Sequence, residues 1–346
     1  MNTLQPALAH RRAVANWLLA CIVMVALMVA VGGVTRLTES GLSIVKWKLV
    51  NGTLPPMSAD AWQYEFDDYK STPQYQKVNR DFTVDDFKNI YWLEYLHRLL
   101  GRTIGMVLLL PLIYFAARRQ LPRALFWRCA TIFLLTGAQG AVGWVMVASG
   151  LNDQPRVEPL KLAAHLLLAF SVFALMLWTR WQVLGLERPT APRCIAKLAR
   201  ISFALLLIQI TFGALVAGLH AGLTYNTYPL MDGAFIPTGL HLMQPWWLNH
   251  VENVLTVQFQ HRMMALLVVA TSIALVIVGW RQQKLRTELR MILICVNVQF
   301  GLGVATLLSH VEIPLASAHQ LVALVLVALI GRLVYRTPLT PNHHSE

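Results

Sequence analysis

Long apolar runs separated by short polar stretches dominate this chain. Eight of them are close to or above the ~20 residues that an α-helix needs to cross the hydrocarbon core of a bilayer. They are Val14–Val34, Trp92–Ala116, Ala124–Ala148, Leu160–Trp181, Arg200–Leu219, Val254–Trp280, Leu289–Leu308 and Ile313–Val334. The pattern predicts an all-α integral membrane protein with eight transmembrane helices. The first run is longer than a secretory apolar core and no small-residue cleavage site follows it, so it reads as a span and not as a signal peptide. Arg11-Arg12 lacks the rest of a twin-arginine signal and reads as flanking charge. The dozen or so residues ahead of the first run are too few for an organelle transit peptide.

Composition supports this reading. Of the 346 residues, 56% are hydrophobic and only 13% are charged. So few charges cannot cover the surface of a soluble protein of this size, which excludes a soluble enzyme, a disordered chain and a secreted disulfide scaffold. The formal net charge of +12 points to nucleic acid or to an anionic membrane surface, and the position of the charges decides between them. Arg11 and Arg12, Arg118 to Arg128, Arg180 to Arg200, Arg281 to Arg290, and Arg332 and Arg336 fall on one side of the membrane. That side carries 17 basic and 3 acidic residues. The opposite segments His220–Asn253 and Ser309–Glu312 contain no Lys or Arg. Basic loops stay inside, so both termini are predicted to be cytoplasmic in a multi-pass membrane protein. The partner of the positive charge is membrane lipid, and no nucleic-acid partner is expected. Cys21, Cys129, Cys194 and Cys295 lie in spans or on the cytoplasmic side, so no structural disulfide is expected.

The two halves resemble each other. Glu94-Tyr-Leu-His-Arg98 aligns with Gln258-Phe-Gln-His-Arg262, and Gln139-Gly-Ala-Val-Gly143 with Gln299-Phe-Gly-Leu-Gly303. Glu158 through His165 aligns with Glu312 through His319, and Gly41-Leu42-Ser43 with Gly222-Leu223-Thr224. Each half has an even number of spans, so both insert in the same direction. The prediction is two four-helix bundles, residues 1–185 and 186–346, related by a pseudo-twofold axis along the membrane normal. A long outward loop at 35–91 distinguishes the first. Gly101-xxx-Gly105 and Gly218-xxx-Gly222 are read as close-packing positions.

His97, His165, His261 and His319 stand apart from the other histidines. Each lies a few residues inside an even-numbered span, which at 1.5 Å per residue places all four at one depth, roughly 10 Å below the outer interface. A lone membrane histidine is commonly a structural hydrogen-bonding residue, but a matched set in two repeats points to function. Two imidazoles facing each other in a helical bundle suit haem iron, with His97 paired to His165 and His261 to His319. Zinc would want more ligands around one point. A di-iron carboxylate site would need a second Glu-x-x-His, and the position matching Glu94 is Gln258. Arg98, Arg262, Arg36 and Arg102 near the outer boundary are candidates to pair haem propionates, with snorkelling to the headgroups as the alternative. Glu94, one turn from His97, can ionise where Gln258 cannot. In a largely apolar bundle its pKa should be raised, which suits a proton shuttle; the alternative is a structural acid paired with Arg98 or Arg102.

Together, Glu94-Tyr-Leu-His97-Arg98, Gln260-His261-Arg262, Ala318-His319-Gln320, Tyr225-Asn-Thr-Tyr-Pro-Leu-Met-Asp232-Gly233 and Gly32-Gly-Val-Thr-Arg-Leu-Thr-Glu-Ser-Gly41 resemble the haem A synthase family. The branch shared by alphaproteobacteria and mitochondria is the nearest, and the likeness spans nearly the whole chain. It implies an oxidoreductase that converts the C8 methyl of haem O to the formyl group of haem A. It further implies that His261 and His319 ligate a cofactor haem b while His97 and His165 flank the substrate haem O. Glu94 then matches the family acid proposed for proton transfer, and the haem O synthase (a farnesyltransferase) is an implied partner. Some bacterial members carry cysteine pairs in outward loops; this chain has none, which puts a cysteine relay in doubt. Two other classes remain open on the residues alone. One is a diheme cytochrome b that carries electrons from quinol, although such proteins often place two histidines on each of two helices. The other is a transporter built from parallel repeats. Trp246 and Trp247 are read as interfacial anchors.

Overall fold

The structure, a computed structural model, describes residues 8–47, 51–152 and 154–339. Its α-helices are α1 (Leu8–Leu37), α2 (Ala59–Lys70), α3 (Pro73–Lys77), α4 (Val84–Ala117), α5 (Arg123–Gly150), α6 (Pro159–Leu184), α7 (Arg193–Gly218), α8 (Val254–Gly279), α9 (Arg286–Leu308) and α10 (Ile313–Arg336). Among the described residues, all but α2 and α3 are long and apolar enough to cross a membrane, so the eight runs read from sequence are eight helices. Proline marks their starts. Pro159 opens α6 and a proline occupies the first turn of α10, where the missing N–H removes no helical hydrogen bond. Gly185 ends α6 in the left-handed region at φ 65°, a conformation that costs a residue with a Cβ.

The long helices pack in two closed circuits. In the first, α1 lies against α4, α4 against α5, α5 against α6, and α6 against α1. The second runs α7, α8, α9, α10 and back to α7. The circuits meet where α6 lies against α7 and α10, and where α1 lies against α10. Exchanging α1 with α7, α4 with α8, α5 with α9 and α6 with α10 leaves this set of neighbours unchanged. One continuous apolar core, from Val14 and Leu18 to Ile330 and Leu333, runs through both circuits. At the end where α1 begins and α10 ends, Glu288 is bonded by Arg336, and Arg200 Nη1 donates to the Thr337 carbonyl at 2.9 Å.

The segment read from sequence as an outward loop at 35–91 is helical over about half of its described residues. α2 and α3 lie within it, and α4 begins at Val84, two turns before its apolar run. The reason is local. Thr83 and Asp86 form a reciprocal capping box, and Phe87 and Tyr91 are buried against Phe66 and Tyr69 of α2. Hydropathy finds only the lipid-facing part of such a helix. The remaining turns are amphipathic and buried under aromatic side chains.

Candidate functional site

The four histidines occupy corresponding helices of the two circuits. His97 is on α4 and His165 on α6, diagonally across the first; His261 is on α8 and His319 on α10, diagonally across the second. His165, His261 and His319 lie within the first three turns of their helices. His97 lies in the fourth turn, because α4 starts farther out.

Each imidazole occupies a notch left by a glycine on another helix. A Cβ at Gly32 of α1 would stand 3.1 Å from His97 Nε2. One at Gly143 of α5 would be 2.8 Å from His165 Cε1, one at Gly213 of α7 3.1 Å from His261 Cε1, and one at Gly303 of α9 2.9 Å from His319 Cε1. Carbon atoms pack at roughly 3.5–4.0 Å, so any side chain at these positions would displace the ring. Glutamine amides complete the setting. Gln139 Nε2 lies 3.2 Å from His165 Nδ1 and donates to the His165 carbonyl at 2.9 Å. Gln209 Nε2 lies 3.3 Å from His261 Nε2. His319 Nδ1 lies 3.1 Å from the Gln299 carbonyl, and its Nε2 lies 3.4 Å from Gln299 Nε2. The Oε1 atoms of Gln139, Gln209 and Gln299, together with His261 Nδ1, are buried with no hydrogen-bond partner. Buried polar atoms are ordinarily satisfied, so this concentration beside the imidazoles fits a polar group not otherwise present there.

Among the described residues, no three His, Cys, Asp or Glu side chains cluster to hold a bare metal ion. Two imidazoles on diagonal helices of each circuit are the number of protein ligands that a planar cofactor bringing its other four would require, as haem does.

Glu94 is 2% exposed and fully engaged. Its Oε2 accepts from Ser43 Oγ at 2.7 Å and from the Ile44 N–H at 2.8 Å, and its Oε1 pairs with Arg98 at 2.6 Å. Arg98 also donates to the Ile44 carbonyl at 2.8 Å and lies over the Trp47 ring. Of the two partners considered from sequence, the structure supplies Arg98. The second circuit repeats the clamp. Gln258 Oε1 accepts from Arg262 at 2.8 Å, while its Nε2 donates to the carbonyls of Ala221 and Thr224 at 2.5 and 2.6 Å. Arg262 further donates to the carbonyls of Tyr225 and Thr227. Arg98 and Arg262 thus fix the loops that follow α1 and α7. Arg36 Nη2 crosses to the second circuit, donating to the Ala217 carbonyl at 2.5 Å and lying 3.0 Å from His220 Nε2. The Nε atoms of Arg36 and Arg262 remain buried without a hydrogen-bond partner. Arg102 lines, with Arg98, Lys46 and Tyr95, a pocket of about 300 Å³ under the residue 52–65 segment.

Sequence reasoning missed the glycine notches, although two of them lay in stretches it had aligned. The spacing that relates Gly41 to Gly222 also relates Gly32 to Gly213. It read Gly101, Gly105, Gly218 and Gly222 as packing positions. Gly218 and Gly222 are closely packed, against Pro159 and Val311, and Gly101 is approached by Met28, but Gly105 faces open space. Trp246 and Trp247 are exposed, as an interfacial role requires. The four cysteines are unpaired.

Residues 15–330 match the family described as cytochrome oxidase assembly protein. A protein of Parvibaculum lavamentivorans named heme A synthase is 44% identical over 97% of both chains. The heme A synthase of Bradyrhizobium diazoefficiens is 46% identical over 95% of this chain and 92% of its own. That of Nitrosospira multiformis is 44% identical over 92% and 91%.

Proposed function

The chain belongs to the cytochrome oxidase assembly protein family, and from that premise we propose that it is a haem A synthase oxidising the C8 methyl group of haem O to a formyl group. The observation that carries the reading is the set of four imidazoles, each seated in a glycine notch, with glutamines beside them in both circuits whose buried Oε1 atoms lack a partner. In this proposal His261 and His319 hold haem b, and His97 and His165 hold the substrate haem O. The two circuits are then two functional units, residues 1–185 and 186–346, related by a pseudo-twofold axis. When bound, haem b supplies a one-electron exit for the oxidation.

The protein's own groups then have distinct tasks. The notches fix each ring plane, and Gln139, Gln209 and Gln299 fix ring rotation; in the first circuit, Gln139 and the notches at Gly32 and Gly143 thereby present the substrate in one orientation. Converting a methyl group and one water to a formyl group releases four protons and four electrons, and the Glu94 carboxylate is the base that accepts the protons beside His97. Ser43 is the partner of Glu94 able to pass a proton onward, because a hydroxyl both donates and accepts. Arg98 neutralises the carboxylate between transfers. Arg36, Arg262, Arg98 and Arg102 line the outer ends of the circuits, where propionates would lie; the buried, unpartnered Nε of Arg36 and of Arg262 makes these two the better placed. The chain lies in the bacterial inner membrane with both termini in the cytoplasm, supported by the basic residues on that side. The haem O synthase delivers the substrate.

The test is a product assay. Purified protein supplied with haem O and an electron acceptor is expected to yield haem A, resolved by chromatography and by its pyridine haemochrome spectrum. Bound haem with unchanged haem O would instead make the chain an electron carrier, and no bound haem would overturn both readings.

A further inference from the structure

The two circuits touch beside their histidines at one polar contact that the duplication does not repeat. Gln320, next to His319 on α10, sends Nε2 across the interface to the Val29 carbonyl of α1 at 3.1 Å. Its Oε1 lies where a Cβ on Gly33 would be, 2.5 Å from that position. The neighbouring Gly32 is the notch for His97. One turn of α1 therefore carries His97 on one side and, through Gln320, the His319 helix on the other. The corresponding place on the α6–α7 interface is apolar: Leu166 stands where Gln320 does and Ala214 where Gly33 does, and Leu166 packs on the cluster containing Ala214, Leu215 and Val257.

We propose that Gln320 is a positioning residue that locks α10 to α1 and so sets the separation across which an electron passes from the His97/His165 site to the His261/His319 site. The inference rests on the proposed function. Apolar side chains hold the other interface together, so packing alone does not call for an amide here. A hydrogen bond to a backbone carbonyl does what packing cannot: it fixes the rotation and axial register of one helix on the other. Each transfer oxidises the haem in the first site by one electron and reduces the haem in the second by one, and Gln320 exchanges no proton.

The test uses the full chain with haem b in the second site and haem A, the product, in the first. The formyl group moves haem A absorption to the red, so the two are resolved. Gln320→Leu, Gly33→Ala and the double variant, which installs the pair found at the α6–α7 interface, are compared with wild type. Haem content and the rate of electron equilibration after flash photoreduction are measured. The expected result is full haem content throughout, with equilibration slowed several-fold in Gln320→Leu, because transfer between haems weakens exponentially with their separation. The double variant should regain the thermal stability lost in Gly33→Ala but not the rate. A wild-type rate in Gln320→Leu or in the double variant overturns the proposal while leaving the proposed function intact. Absence of haem from the wild type overturns both.

Discussion

The glycine notch at Gly303 gives the sharpest test of the site. In Gly303→Ala the new Cβ would stand 2.9 Å from His319 Cε1 and 3.4 Å from Nδ1. The ring has to retreat by about 0.5 Å to reach ordinary carbon contact. It cannot do so freely, because Nδ1 is held 3.1 Å from the Gln299 carbonyl on the same helix as the notch. Overpacking of this kind costs about 1–3 kcal/mol, and the greater helix propensity of alanine returns about 0.5–1 kcal/mol. The net, roughly 1–2 kcal/mol, falls on the haem-competent ring position and lowers haem affinity about 5- to 30-fold. Gly301→Ala is the control. It lies on the same helix with nothing within 4 Å of its added methyl, so it should match or exceed wild type in stability and hold haem normally. The assay is haem per chain in purified protein, with the rate of haem loss to an excess of a competing haem-binding protein. Wild-type content and loss rate in Gly303→Ala would refute the argument that the notch seats the ring.

The other expectations are more direct. His261→Ala or His319→Ala should purify without stable haem b, read as loss of the reduced-minus-oxidised band. Glu94→Gln should keep haem but form no haem A; full activity would assign Glu94 to the loop clamp alone. At the outer end of α1, the hydrogen bond from His220, aided by Arg36, holds the Glu39 carboxyl below its ordinary value of 4.5. A lowered folded-state pKa stabilises above the unfolded value and loses that contribution as pH falls through the folded value. Tm should therefore drop on the acid side of 4.5, and Glu39→Gln should flatten that limb of a Tm–pH curve.

The sequence made the spans legible because hydropathy reports lipid contact directly, and eight lipid-facing helices leave eight runs. It made the histidines legible because a titratable ring among Leu and Val is conspicuous, and the duplication showed each one twice. The outer cap of α2 and α3 was not legible. Its Trp62, Phe66 and Tyr69 are spaced among charged residues, and what buries them is the protruding start of α4, not lipid. The notches were illegible for a related reason. A glycine in a membrane helix suggests helix packing, and nothing local to Gly143 or Gly303 says that the neighbour is an imidazole from the next helix. Glu94 looked like an acid in an apolar bundle because its partners Ser43 and Ile44 are some fifty residues away in the chain.

That clamp also shows that the difference between the halves extends beyond one side chain. Around Glu94 the first loop presents donors, the Ser43 hydroxyl and the Ile44 N–H, which suit a carboxylate. Around Gln258 the corresponding loop presents acceptors, the carbonyls of Ala221 and Thr224, which an amide N–H₂ satisfies and a carboxylate cannot. The two substitutions should therefore be unequal. Glu94→Gln turns an N–H₂ toward donors or leaves them unpaired, at about 1–3 kcal/mol, and takes the carboxylate from Arg98, which keeps the Ile44 carbonyl as acceptor. Gln258→Glu, in a position only 3% exposed, sets a carboxylate against two carbonyl oxygens. Arg262 can compensate only at the other oxygen. A buried carboxylate oxygen that faces two carbonyl oxygens keeps its desolvation cost uncompensated there, a loss of several kcal/mol. Thermal unfolding in detergent, with both proteins loaded alike with haem, should rank Gln258→Glu well below Glu94→Gln. Equal losses, or the reverse order, would mean that the loops rearrange to suit either side chain. The asymmetry would then reside in the carboxylate alone.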